Sequence, residues 1–227
     1  SKLIKKGKVF TLQVPLTQDW NEPLWPGRTP SIRLNVYDAS SYYVGRKLAP
    51  GGYKSAADWI ALSTHGTTHS DSLAHTWHGD KVWNGYDEKV TIWGITKAGI
   101  LKPAEHGMVG RGVLLDIARF KGVEYLKSGE PITLDDFKRC AEKQGVMFQT
   151  GDILIYRTGW VPALRKYPDL KKAPVFNEPG IQYSLEFLQW FKDNGISIIA
   201  SDTIACEQTI STSPEEKGSL IPFHKYI

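Results

Sequence analysis

The chain has 227 residues, 41% of them hydrophobic and 23% charged, with a formal net charge of +4. That length suits one domain with a buried core of its own, and the composition excludes disordered and fibrous classes. The basic excess is scattered (Lys5, Lys6 and Lys8 near the start, Lys171 and Lys172 later), so no stripe of cations and aromatics offers a nucleic-acid groove.

Cys140 and Cys206 are the two cysteines. They form no CxxC pair, which argues against a thiolate zinc site and fits a reducing compartment. No apolar run follows the early basic residues, and none reaches the length of a membrane span. The expectation is therefore a cytoplasmic protein with no membrane partner.

In chain order, Val9–Leu16 alternates loosely and predicts an early strand. Residues Asn21–Pro30 read as a loop that carries Trp25. Trp59–Ser63 is a short apolar run leading into a cluster of histidines. Gly112–Ile117 has the pattern of a buried strand. Thr133 is a good N-cap for a helix through Gln144, with Leu134, Phe137, Cys140 and Ala141 on one face and Gly145 as its stop.

Asp152–Arg157 predicts another strand, ending in Thr158-Gly159-Trp160. Ser184–Asn194 is amphipathic and stops at Gly195. Ile196–Ala200 then predicts a buried strand running into Ser201-Asp202-Thr203. The alternation of strands and helices in the second half predicts an α/β fold with parallel pairing. No internal repeat divides the chain, so residues 1–227 read as a single domain. Functional groups of α/β folds gather at the carboxyl ends of strands. That makes the stretches Arg157–Trp160 and Ser201–Thr203 candidate pocket walls.

The densest chemistry lies in His65-Gly-Thr-Thr-His69-Ser-Asp71-Ser-Leu-Ala-His75, which holds three of the six histidines. A helix at ~100° per residue would turn Asp71 away from His65 and His69, and Gly66, Thr67 and Thr68 disfavour helix. On an extended chain, positions 65, 69, 71 and 75 all fall on one side. Two imidazoles and a carboxylate leave open positions on a bound ion, the catalytic rather than the structural pattern. Water on such an ion loses its proton near neutral pH. His75, close by and not needed as a ligand, suits proton transfer.

This segment resembles the signature of the cyclase-like metal-dependent hydrolases, His-x-Gly-Thr-His-x-Asp-x-x-x-His. That family includes bacterial kynurenine formamidase and isatin hydrolase. His65, Thr68, His69, Asp71 and His75 match in register, while Thr67 stands where the family usually has Gly. The resemblance covers most of the chain and is nearest to the longer members. Val9–Leu16 looks like the opening strand, and Leu24-Trp25-Pro26-Gly27 like the Trp-Pro-Gly loop. Asp152–Trp160 resembles the strand ending in Arg-Thr-Gly-Trp, and Ser201–Thr209 is similar to a segment of the longer members. Leu220–His224 looks like the Leu-Pro-x-His run.

The resemblance implies a swivelling β/β/α domain assembled as dimers or higher homo-oligomers. It implies that His65, His69 and Asp71 bind a divalent ion, zinc or manganese. Asp71 would bridge to a second ion held also by His224 and a later Glu. His75 would transfer protons, and Trp25 would contact the substrate, with Trp160 and Asp202 as further candidate contacts. The implied reaction is hydrolysis of a C–N bond in an aromatic or cyclic amide (amide, formamide, lactam or cyclic imide) by a metal-activated water. The family's last carboxylate ligand lies beyond its Leu-Pro-x-His run, whereas this sequence stops at Ile227. The expectation is that the C-terminal segment is missing. Glu207 lies upstream, out of that register.

Two alternatives remain at this level. His69, Asp71 and His224 also spell the two-His, one-carboxylate triad of a non-haem iron oxygenase. That reading leaves His65 and His75 without a role and expects an all-β jelly roll. The other alternative is a non-catalytic binding protein on the same fold.

Overall fold

The computed structural model describes residues 3–19, 25–172 and 176–226. The chain divides after His69 into two compact units, residues 1–69 and 70–227.

The first unit is built on an antiparallel pair, β1 (Ile32–Tyr37) and β2 (Ala57–Ala61). Ile32 lies opposite Ala61 and Leu34 opposite Trp59, with an irregularity between Asn35 and Tyr37. The short helix α1 (Ala39–Tyr43) begins at a capping box, in which Asp38 accepts from Ser40 N–H and Ser41 reciprocates. Tyr42 Oη accepts from Ser55 N–H at 3.0 Å, and the Arg46 guanidinium sits 3.6 Å over the Tyr37 ring.

The strand predicted at Val9–Leu16 does not form. Alternation makes a strand only where a ladder partner exists. Among the described residues, β1 and β2 pair only with each other. Val14 N–H instead donates to Thr68 Oγ1 at 2.8 Å. In the predicted Asn21–Pro30 loop, Asn21–Leu24 lie outside the described residues. Trp25 is half-buried and opens a turn, its carbonyl accepting from Arg28 N–H at 2.9 Å.

The second unit carries a parallel sheet in the order β3 (Gly112–Asp116), β5 (Ile153–Arg157), β7 (Ile198–Ser201). Leu115 lies beside Tyr156, and Tyr156 beside Ser201. A smaller parallel pair joins β4 (Pro131–Ile132) to β6 (Gly180–Ile181). The helices are α2 (Leu101–His106), α3 (Ile117–Phe120), α4 (Leu134–Gln144), α5 (Trp160–Lys166) and α6 (Leu185–Asp193).

The α4 boundaries follow the local chemistry. Thr133 and Asp136 form a capping box, and Gly145 adopts φ 66° at the stop, where a side chain would be strained. Ser184 caps α6 by accepting from Phe187 N–H at 3.1 Å. One hydrophobic cluster joins the sheet to α4 and α6. In it Phe137 meets Phe187 edge-on at 5.0 Å, and Phe187 stacks on Phe191 at 5.0 Å. Phe223 packs edge-on against both Phe187 and Phe191, which ties the C-terminal stretch into the core.

Candidate metal centre

After β2 the chain does not continue as an extended segment. It turns repeatedly through residues 64–68, and Gly66 N–H donates to the Ser63 carbonyl at 3.0 Å. Turns, not the period-two alternation of a strand, bring the imidazoles together. The His65 and His69 rings meet edge-on with centroids 4.8 Å apart. His69 Nδ1 lies 2.5 Å from the Thr67 carbonyl oxygen, which can only accept, so Nδ1 carries the proton. In the neutral ring the lone pair then sits on Nε2. His65 Nδ1 is 3.1 Å from Thr64 Oγ1, so a protein oxygen holds that nitrogen as well. Imidazoles that bind metals are oriented in this way through their other nitrogen.

In the second unit, Asp71 lies between two imidazoles. His75 Nε2 is 4.0 Å from Asp71 Oδ1, and His224 Nε2 is 3.8 Å from Asp71 Oδ2. A turn closed by His75 N–H donating to the Ser72 carbonyl, at 3.0 Å, brings His75 back toward the carboxylate. His224 sits on the single 3-10 turn Pro222–Lys225, next to the buried Phe223.

Behind His224 is a residue that sequence reasoning left without a role. The buried Glu207 carboxylate accepts from Phe223 N–H at 2.6 Å, from His224 N–H at 2.9 Å and from His224 Nδ1. Burial pulls the His224 pKa down, but Asp71 and Glu207 outweigh it and raise the ring to about 9 in the ion-free protein.

The candidate substrate contacts lie differently. Trp160 is buried at the start of α5 and packs edge-on against Phe176 at 6.4 Å. Asp202 accepts from Thr158 N–H (2.6 Å), Thr158 Oγ1 (2.8 Å), Gly159 N–H (2.7 Å) and Trp160 N–H (3.1 Å). Gly159 at the N-terminus of α5 has no side chain to cap with, and Asp202 supplies the missing acceptor from β7's end. Trp160 and Asp202 thus contact each other and the turn after β5.

His65, His69 and Asp71 each offer a ligand atom, all within 4.8 Å of one another, as the one such group of metal donors among the described residues. Donors ~2.1 Å from a common ion can lie ~4 Å apart, so the spread is close to what one ion needs. The set joins two oriented imidazoles to a carboxylate and includes no thiolate, a chemistry suited to divalent ions. The residues present therefore fit a divalent ion.

The Cyclase family model matches residues 10–208. The crystal structure of a novel cyclase is 31% identical, with a TM-score of 0.82 over 99% of this chain and 72% of that one. Isatin hydrolase A from Labrenzia aggregata, bound to benzyl benzoate, is 17% identical with a TM-score of 0.59, covering 93% of this chain and 73% of that one. Isatin hydrolase A from Ralstonia solanacearum is also 17% identical, with a TM-score of 0.56 over 93% and 74%. These likenesses match the α/β fold expected from the sequence. No curated protein matches the chain. No helix among the described residues is long and apolar enough to cross a membrane.

Proposed function

The chain belongs to the cyclase family, and we propose that it is a metal-dependent hydrolase cleaving a C–N bond in an amide, formamide, lactam or cyclic imide. The observation that carries this reading is the convergence of His65, His69 and Asp71, with Nδ1 of His69 committed to the Thr67 carbonyl. Those three residues would hold zinc or manganese. A divalent ion supplies Lewis acidity toward a carbonyl oxygen and toward water.

The chain's own residues supply the rest. Asp71 sets His75 beside it, with Nε2 4.0 Å from Oδ1. From there His75 can take a proton from the attacking water and return it to the leaving nitrogen. Trp25 offers a half-buried indole to an aromatic substrate. The isatin hydrolases of similar fold act on isatin by name, which supports a cyclic aromatic amide as the substrate class here. The oxygenase alternative expects an all-β jelly roll, and the parallel β3-β5-β7 sheet stands against it.

The test is hydrolysis of N-formyl anilines, lactams and cyclic imides by metal-loaded protein, with His75→Ala beside it. Turnover by His75→Ala should fall by about two to four orders of magnitude, with metal content retained. Loss of metal in that variant would make His75 a ligand. Absence of turnover on every substrate by loaded protein would leave the binding-protein alternative.

A further inference from the structure

We propose that Glu207 is a positioning residue that locks the His224 ring with Nε2 toward Asp71, and so sets the carboxylate that the ion uses. This rests on the reading of Asp71 as a metal ligand.

A carboxylate out of water is costly unless hydrogen bonds satisfy it. Glu207 is 1% exposed. Its Oε2 takes Phe223 N–H, and its Oε1 takes both His224 N–H and His224 Nδ1. A purely structural role, closing the Pro222–Lys225 turn, needs only the two backbone donors. The third bond goes to the side chain. Because a carboxylate only accepts, it places a proton on Nδ1 and fixes the ring about its long axis. The far nitrogen then faces Asp71 Oδ2 at 3.8 Å.

Close packing and hydrogen bonds hold the backbone around Glu207. Gly180 on β6 packs against it so closely that a Cβ there would lie 2.3 Å from the Glu207 carbonyl carbon. Gln208 N–H donates to the Ile181 carbonyl at 3.0 Å, and Ile221 N–H to the Thr209 carbonyl at 2.9 Å. Two residues without the freedom of glycine turn through the left-handed region where these segments begin, Cys206 at φ 55° and Ile221 at φ 37°. Backbone held in this region by residues other than glycine persists where the surroundings dictate it. Here it places one carboxylate against one imidazole.

The experiment is a double-mutant cycle on zinc affinity, measured by competition with a chromophoric chelator. Glu207→Gln keeps the size of the side chain but turns one acceptor into a donor. It should weaken zinc binding ~10–100-fold, the usual cost of disturbing a group behind a ligand shell. In a His224→Ala background the same substitution should change affinity little, because its effect passes through the ring. Equal losses in both backgrounds would mean that Glu207 only supports the fold, and would overturn the proposal.

A second measurement does not need the variant to fold. Nitrogen-15 NMR of metal-free wild-type protein should show a slowly exchanging proton on His224 Nδ1. A bare or rapidly exchanging Nδ1 would overturn the proposal. Wild-type protein that binds no zinc but shows this proton would refute the metal reading while leaving the Glu207–His224 lock intact.

Discussion

Glu178 offers a test of the fold through pH. It is 2% exposed, and its Oε2 accepts from Ile204 N–H at 2.9 Å. Burial is the largest influence and raises its pKa from 4.5 to about 8, with the nearby Asp202 charge adding to it; the Ile204 N–H and the Trp160 indole pull the other way. The folded state therefore holds this proton more tightly than the unfolded state. Stability contributed by the protonated form is fully present below pH ~4.5 and is lost as pH rises to about 8. At ~1.4 kcal/mol per pKa unit, the loss is on the order of 5 kcal/mol. Glu178→Gln is uncharged at every pH and lacks this loss. Urea denaturation, followed by tryptophan fluorescence with a chelator present, gives the stability of both proteins from pH 5 to 8.5. The variant should gain on the wild type by a few kcal/mol across that range. A difference between the two that stays constant with pH would refute the assignment of a protonated, buried Glu178.

Two further substitutions test the turn between β5 and α5. Asp202→Asn turns one acceptor toward the Thr158–Trp160 N–H groups into a donor. It should cost ~2–4 kcal/mol, read as a lower urea midpoint; an unchanged midpoint would remove Asp202 from this role. Gly159 has φ +79°, and a Cβ there would lie 2.4 Å from the Glu124 carbonyl oxygen and 2.9 Å from Tyr125 Cα. Gly159→Ala should therefore destabilise by ~2–4 kcal/mol, and wild-type thermal stability in that variant would contradict the backbone geometry.

The features legible in the sequence are local ones. Thr133, the apolar face through Ala141 and Gly145 specify α4 within a dozen or so residues, because caps and helical periodicity act over one or two turns. The apolar runs of β3, β5 and β7 were legible for the same reason, and their alternation with helices implied parallel pairing. His65, His69 and Asp71 sit within seven positions of one another, so their shared chemistry could be read before any geometry was known.

Tertiary structure decided the rest. Val9–Leu16 has the composition of a strand but no ladder, since hydrogen-bond partners for a strand come from elsewhere in the chain. Asp202 carries the chemistry of a substrate contact, yet its oxygens cap a helix that begins 42 positions earlier in the chain. Glu207 bears no local mark at all. Its role depends on Gly180 admitting its backbone and on the Pro222–Lys225 turn bringing His224 to it, contacts across 27 and 17 positions. A carboxylate's function is set by the donors that surround it, and for Glu207 the fold supplies every one of those donors.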